Sequence, residues 1–261
     1  MRKCNDLSLP EFRCNPARAS SSLPGVFPRS KKSVRFAVKL ILFDIDGTIM
    51  LTHNAGRHAM EDALGEVLNR PMPTSGVSFS GKTDPQILME ILSAHDLTDH
   101  ITDGRFEAIL EVYQSFLGRT LPHKSNLLPG VADLVSSLHA RPDVKLGLLT
   151  GNLQPMAYAK LRAVGLDQYF AFGAFGSDHH ERNSLPSFAL QRAEAQTGHA
   201  FIGEEVIVIG DTPNDIACAN IVGASSVAVC TGRFSRKDLA PYSPDLLLDD
   251  LTDPTLLLDM I

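Results

Sequence analysis

Residues Leu40 to Phe43 are uninterruptedly apolar, and the run breaks off in Asp44-Ile45-Asp46-Gly47-Thr48. Such a run reads as a strand buried on both faces, the pattern of a parallel sheet. Gly47 turns the backbone and ends it. Two carboxylates then stand at the carboxyl end of a central strand, where open α/β sheets bind ligands. Side chains two apart in a strand share a face, and like charges there repel unless a cation lies between them. A lone Asp-x-Asp pair also suits a strand-terminating turn, so its meaning depends on the rest of the chain.

Past this strand, apolar residues fall at helical spacing in three stretches: Ala59 to Leu68, Ile87 to Leu92, and Phe106 to Leu117. They predict an all-helical insert over residues 53–121. From residue 122 helices and strands alternate. Val131 to His139 reads as helix, and Val144 to Leu149 as a strand ending in Thr150-Gly151-Asn152. Gln154 to Val164 is helical, with Gly165 as its C-terminal stop, and Phe172 to Phe175 is a short strand. Pro186 to Gln196 is helical, and Val206 to Ile209 is a strand ending in Gly210-Asp211-Thr212-Pro213. Asn214 to Val222 is helical, and Ser226 to Cys230 and Leu246 to Leu248 close the pattern as strands. This order implies a Rossmann-like, doubly wound parallel sheet, built from residues 35–52 plus 122–261.

Composition narrows the function. The 261-residue chain has a formal net charge of -6, which argues against a nucleic-acid partner, and no apolar run is long enough to span a membrane. Cys4, Cys14, Cys218 and Cys230 form no paired spacing. Cys218 and Cys230 read as buried thiols of a reducing, cytoplasmic compartment. No Cys or His pair has zinc-ligand spacing, and the adjacent His179 and His180 read as a solvated loop pair. Residues 1–34 are basic, with Pro and Ser and no periodicity, so disorder is expected. This tail suits an organelle transit peptide or a non-native extension equally, and lacks the apolar core of a secretory signal.

Three strands thus end in polar clusters: Asp44 and Asp46; Thr150 and Asn152; and Asp211, with Asp215 one helical turn later. In a parallel sheet these ends share one edge. Carboxylates gathered there favour a hard divalent cation, most simply Mg²⁺. A hydroxyl and backbone N–H groups beside it suit an anionic oxygen, which together describes a metal-assisted phosphoryl site. Thr150 and Asp211 could each simply cap a helix, but that reading must hold at three strand ends at once.

These three ends, in this order, resemble three of the four signatures of the haloacid dehalogenase superfamily of phosphatases, over residues 37 to 250. The insert resembles that superfamily's helical cap, and Gly81-Lys82-Thr83-Asp84-Pro85 is similar to the cap loop of phosphoglycolate phosphatase-like and β-phosphoglucomutase-like members. The resemblance implies that Asp44 is the nucleophile, forming an aspartyl-phosphate, and that Asp46 is the general acid and then the base. It implies that Thr150 and the Gly151 N–H hold the phosphoryl group, with Asn152 beside them. Mg²⁺ would be held by the Asp44 carboxylate, the Asp46 backbone carbonyl and Asp211, with Asp215 orienting its water. An acid at Asp46 argues against dehalogenation, because halide leaves without a proton.

The superfamily's remaining signature is usually a Lys ahead of the last motif strand. The only Lys between Thr150 and Asp211 is Lys160, which lies in the helix just after Thr150 and reads as too early. Arg182 is the best-placed cation, and its guanidinium forks onto carboxylate or phosphate; the alternative is a surface pair with Glu181 or Asp178. Lys82 is the cap residue expected to bind a substrate carboxylate or second phosphate, against a merely solvated loop Lys. Arg57, beside Gly56, is a weaker candidate for the same role and reads rather as a helix-face residue. The expected function is Mg²⁺-dependent hydrolysis of a small phosphorylated metabolite. The alternatives are a phosphomutase of the same chemistry, a phospho-accepting receiver, or a catalytically silent binding protein.

Overall fold

The computed structural model describes residues 38–261. The basic tail and its two cysteines lie outside the described residues. The main sheet has six strands in the order β5-β4-β1-β6-β7-β8, all parallel. In chain order they are β1 (Lys39–Phe43), β4 (Val144–Leu149), β5 (Gly173–Ala174), β6 (Val206–Gly210), β7 (Ser225–Val229) and β8 (Leu246–Leu248). A pair of two-residue strands, β2 (Met50–Leu51) and β3 (Asn126–Leu127), runs antiparallel beneath the insert. Sequence reading missed this pair, because two residues are too few to show a period.

The period-2 pleat of β1 explains why its apolar run is continuous. Ile41 and Phe43 join one core with Val131, Leu134, Leu138, Ala157 and Leu161. Leu40 and Leu42 join another with Leu185, Ala189, Ala193, Cys218 and Ala219. The helices α4 (Val131–His139) and α5 (Gln154–Ala163) therefore cover one face, and α6 (Leu185–Thr197) and α7 (Pro213–Ile221) the other. Strands β6 and β4 alternate likewise: Ile207 and Ile209 face the first core, and Val206 and Val208 the second. The doubly wound parallel sheet expected from the sequence is what the chain forms.

Between β2 and β3 the chain forms α1 (Ala55–Leu68), α2 (Asp84–Ala94) and α3 (Arg105–Lys124). Their apolar stripes close on one another through Ala59, Met60, Leu64, Leu88, Ile91 and Tyr113, and the cluster takes in Leu153 and Met156 at the start of α5. The loop before α2 follows its chemistry: Thr83 caps the helix by accepting from Gln86 N at 3.1 Å, with Pro85 in the first turn. No helix among the described residues is long and apolar enough to cross a membrane.

Candidate active site

Strands β4, β1 and β6 are immediate neighbours, so Thr150, Asp44 and Asp211 leave the sheet side by side. The Asp44 N–H still donates to Ile209 O at 2.9 Å, as though the strand continued. β1 itself ends at Phe43, and the same-face rule for Asp44 and Asp46 lapses with it. The two carboxylates turn to different partners, a correction to the sequence reading.

Asp44 faces a buried acidic group. Oxygen atoms of Asp44, Asp211 and Asp215 lie within 4.8 Å of one another. At that separation two unit charges repel by about 3.5 kcal/mol at an effective dielectric near 20. Arg182 is the cation among them, 5% exposed. Its Nη2 donates to Asp215 Oδ1 at 2.5 Å and lies 3.1 Å from Asp44 Oδ1. The sequence placed Arg182 here, and Asp178, the surface alternative, pairs with Arg192 instead. Burial works against the charge on Arg182, but Asp215 and Asp44 hold its pKa well above the ordinary value. One guanidinium does not balance three acids. Burial, only partly offset by Arg182, pushes Asp44 up to about 6. Burial, with Asp215 and Asp44 adding to it, pushes Asp211 well above the carboxylate range.

Asp215 closes the first turn of α7, where its Oδ2 accepts from Thr212 N at 2.9 Å and Thr212 Oγ1 at 2.7 Å. That capping box aims its other oxygen at Arg182. Asp211 is held by the shape of the backbone: a Cβ on Gly47 would stand 2.4 Å, and one on Gly232 1.7 Å, from Asp211 Oδ2. Among the described residues the buried Asp211 Oδ1 has no hydrogen-bond partner. A buried carboxylate oxygen without a donor, among three acids that one guanidinium leaves two positive charges short, fits a hard divalent cation.

Asp46 has opposite surroundings. Lys160 Nζ donates to Asp46 Oδ2 at 2.6 Å and to Asn152 Oδ1 at 2.5 Å. Asn152 Nδ2 donates to Asp46 Oδ2 and to Thr150 Oγ1, both at 2.8 Å. Desolvation opposes ionisation of Asp46, but Lys160 and the hydrogen bonds from Asn152 and Thr52 outweigh it and hold the carboxyl below its ordinary range. Lys160 does not stand in for the signature Lys, since Arg182 is the cation beside Asp44, but it reaches the cavity at Asp46, which its place in the chain did not suggest. Helical side chains tilt toward the N-terminus, so a long Lys two turns into α5 reaches back to the strand end. A signal was present: Met156, Ala157 and Leu161 mark the buried face of α5, and Lys160 falls on it.

Both groups open onto one cavity of about 530 Å³ between the sheet edge and the helical insert. Asp44, Asp46, Thr150, Gly151, Asn152, Arg182 and Asp211 line it from the sheet side, and Arg57, Lys82 and Asp84 from the insert. Lys82 reaches the cavity as expected, but its Nζ pairs with Glu90 Oε2 at 2.5 Å. Arg57 is more than a helix-face residue: it donates to Thr74 O and Val77 O and stacks 4.1 Å over Phe79. His179 and His180 stack on each other and take no part in the acidic group.

An acidic centre at the carboxyl edge of a doubly wound sheet, facing a helical insert, defines a class of hydrolase. Residues 38–223 match the haloacid dehalogenase-like hydrolases, and the chain belongs to that family. A phosphoglycolate phosphatase from Photorhabdus laumondii is 24% identical over 227 residues, covering 83% of this chain and 90% of its own. Among solved structures, a predicted phosphoglycolate phosphatase from Haemophilus somnus superimposes with TM-score 0.67 at 22% identity, over 86% of this chain and 99% of its own. A β-phosphoglucomutase from Clostridium difficile gives TM-score 0.66 at 17% identity, over 85% and 96%. At such identities the structures speak for the fold alone.

Proposed function

We propose that the protein is a Mg²⁺-dependent phosphatase that hydrolyses a small organic phosphate monoester through a phosphorylated Asp44. The observation that carries this is the juxtaposition of two differently tuned carboxylates in one cavity: Asp44 in the acidic group, Asp46 on Lys160. The family's chemistry, carried onto these positions, gives each a task. Asp44 attacks phosphorus while the ester P–O bond breaks, and Asp46 protonates the departing alkoxide. Water then attacks the aspartyl-phosphate, giving its proton to Asp46 as inorganic phosphate leaves and Asp44 is restored.

Thr150 Oγ1 and the Gly151 N–H would hold the phosphoryl oxygens, with Asn152 and Lys160 fixing the Asp46 side chain. An ionised Asp46 must gain its proton before the first step, and a phosphate dianion beside it raises its proton affinity. Asp44, Asp211 and the Asp46 carbonyl would hold Mg²⁺, with Asp215 orienting its water. When bound, the ion supplies charge that offsets the clustered carboxylates and the transferring phosphoryl oxygens. The helical insert, which the sequence bounded at 53–121 and whose last helix runs on to Lys124, serves as the cap over the sheet core, and the cavity suits small substrates. Lys82 would reach the far end of a substrate by exchanging Glu90 for it.

The relatives make phosphoglycolate the first compound to assay in a panel of phosphate esters with and without EDTA. Hydrolysis abolished by chelation and reduced at least ~10³-fold by Asp44→Asn is expected. Turnover insensitive to both changes would reject the proposal, and an isomerised sugar phosphate without released phosphate would convert it to a mutase.

A further inference from the structure

The short segment Gly81–Asp84 belongs to the insert by sequence, yet it is fastened to three separate segments at the sheet edge, two loops and the first turn of α7. Asn214 Nδ2 donates to Gly81 O at 2.5 Å, beside Asp215. Thr83 Oγ1 donates to His180 O at 2.5 Å, two residues before Arg182. The Asp84 N–H donates to Gly151 O at 2.8 Å. The fit is tight at that last contact: a Cβ on Gly151 would lie 2.0 Å from Lys82 O. Every loop that brings a polar group to the cavity from β4, from the Arg182 turn or from β6 therefore touches this strap.

Asp84 is the acid of the strap and is 7% exposed. Its Oδ2 accepts from the Leu153 N–H at 2.9 Å, and its Oδ1 from Tyr113 Oη at 3.2 Å. The Leu153 N–H is one of the unpaired donors at the start of α5, so a carboxylate from the insert caps a helix of the sheet layer. With its own N–H on Gly151 O, Asp84 grips both ends of the short loop Gly151-Asn152-Leu153. That loop carries the Gly151 N–H and the Asn152 amide, which contacts Asp46 and Thr150. A carboxylate is buried here for its geometry, since burial with only neutral donors costs free energy.

We propose that Asp84 is a positioning residue: through Gly151, Leu153 and Tyr113 it locks the strap to the Thr150–Leu153 loop and sets where that loop stands beneath the insert. It touches neither Asp44 nor the acidic group and acts through the loop. The catalytic consequence rests on the phosphatase reading, whereas the mechanical one does not.

The test compares the full chain with Asp84→Ala and Asp84→Asn, reading amide hydrogen exchange and steady-state kinetics on the best ester of the panel. In Asp84→Ala, exchange over residues 81–84 and 151–153 should rise about tenfold while β1 and β6 stay protected. Its kcat should fall about 10- to 100-fold, with KM moving less than about threefold. Asp84→Asn should stay within about threefold of wild type in both readouts, because its amide oxygen still accepts from Leu153 and its NH₂ donates to the Tyr113 oxygen. Unchanged exchange at 151–153 in Asp84→Ala overturns the proposal. So does an Asn variant as impaired as the Ala variant, or loosening of β1 and β6 alongside the loop. If Asp84→Ala does not fold, Gly151→Ala decides by exchange alone: it must free residues 81–84, and unchanged protection there is a refutation. Should wild type hydrolyse no ester at all, the phosphatase reading fails while the exchange result still stands for or against the strap.

Discussion

Asp44 and Asp46 stand one residue apart and live in opposite surroundings. Asp44 is buried with two further acids around one guanidinium, and its carboxyl is pushed up to about 6. Asp46, with 41% of its side chain exposed, rests on a buried ammonium and two neutral donors and is held below its ordinary range. The difference shows how one strand end supplies two kinds of carboxylate. β1 ends at Phe43 and only the Asp44 N–H keeps a ladder bond, to Ile209 O, so Asp44 stays at the sheet edge while Asp46 swings out to Lys160 of α5. Each group is also incomplete in its own way. The Asp44 group lacks positive charge, and the Asp46 group lacks a proton. A divalent ion would answer the first, and a bound phosphate would favour the second.

The largest test of this contrast removes its one guanidinium. Arg182→Ala strands Asp44, Asp211 and Asp215 without their cation, and the loss of one partner of a buried pair costs about 3–5 kcal/mol. Urea midpoints should record that loss, with kcat down at least ~10³-fold. Arg182→Lys should recover part of both, since it keeps the charge but not the fork. Equal behaviour of the Ala and Lys variants would show that charge balance is not what Arg182 supplies.

The second group should respond more gently. Lys160→Met keeps the bulk of the side chain and deletes the ammonium, so Asp46 and Asn152 lose their shared donor. A fall of about 10- to 100-fold in kcat is expected, with Mg²⁺ affinity unchanged because the acidic group is untouched. A Mg²⁺ affinity that moves with Lys160 would merge the two groups into one.

A pH-dependent effect separates Asp84 from both. Burial, opposed by Lys160 and the Leu153 N–H and reinforced by Asp46, pushes its carboxyl from 3.8 up to about 6. A raised acid contributes stability below its unfolded pKa, and that contribution is lost as pH climbs through the folded value. Wild type should therefore lose ground to Asp84→Asn between pH 4 and pH 7, by up to about 3 kcal/mol. Urea melts of the two proteins at both pH values measure this, and a difference independent of pH would mean that Asp84 is not ionised by burial-opposed titration in this range.

The fold was readable because its determinants are local. A continuous apolar β1, β4 and β6, each ending in a polar cluster, needs only the pleat and the parallel rule to place Asp44, Thr150 and Asp211 together. Arg182 was readable by chemistry, since a site with several acids and no well-spaced Lys needs another cation. What stayed hidden depends on side-chain reach and on packing between distant segments. Lys160 looked misplaced along the chain, though helical tilt carries it back to Asp46. In Gly81-Lys82-Thr83-Asp84 the Lys drew attention as the exposed cation, whereas the structure buries the Asp. Nothing near residue 84 announces that its partners are Leu153 and Tyr113. The β2–β3 pair was invisible for want of length.

The central claim, that Asp44 and Asp211 meet in order to hold a divalent ion, is best tested by thermal melting with and without Mg²⁺. An ion that binds only the folded chain stabilises it by about 2.7 kcal/mol at 100 times its dissociation constant, about 5–10 °C for a domain of this size. Wild type should melt that much higher in millimolar Mg²⁺, and Asp211→Asn should not respond. A wild-type melting temperature that ignores Mg²⁺, or an Asp211→Asn protein that responds as wild type does, would contradict the account.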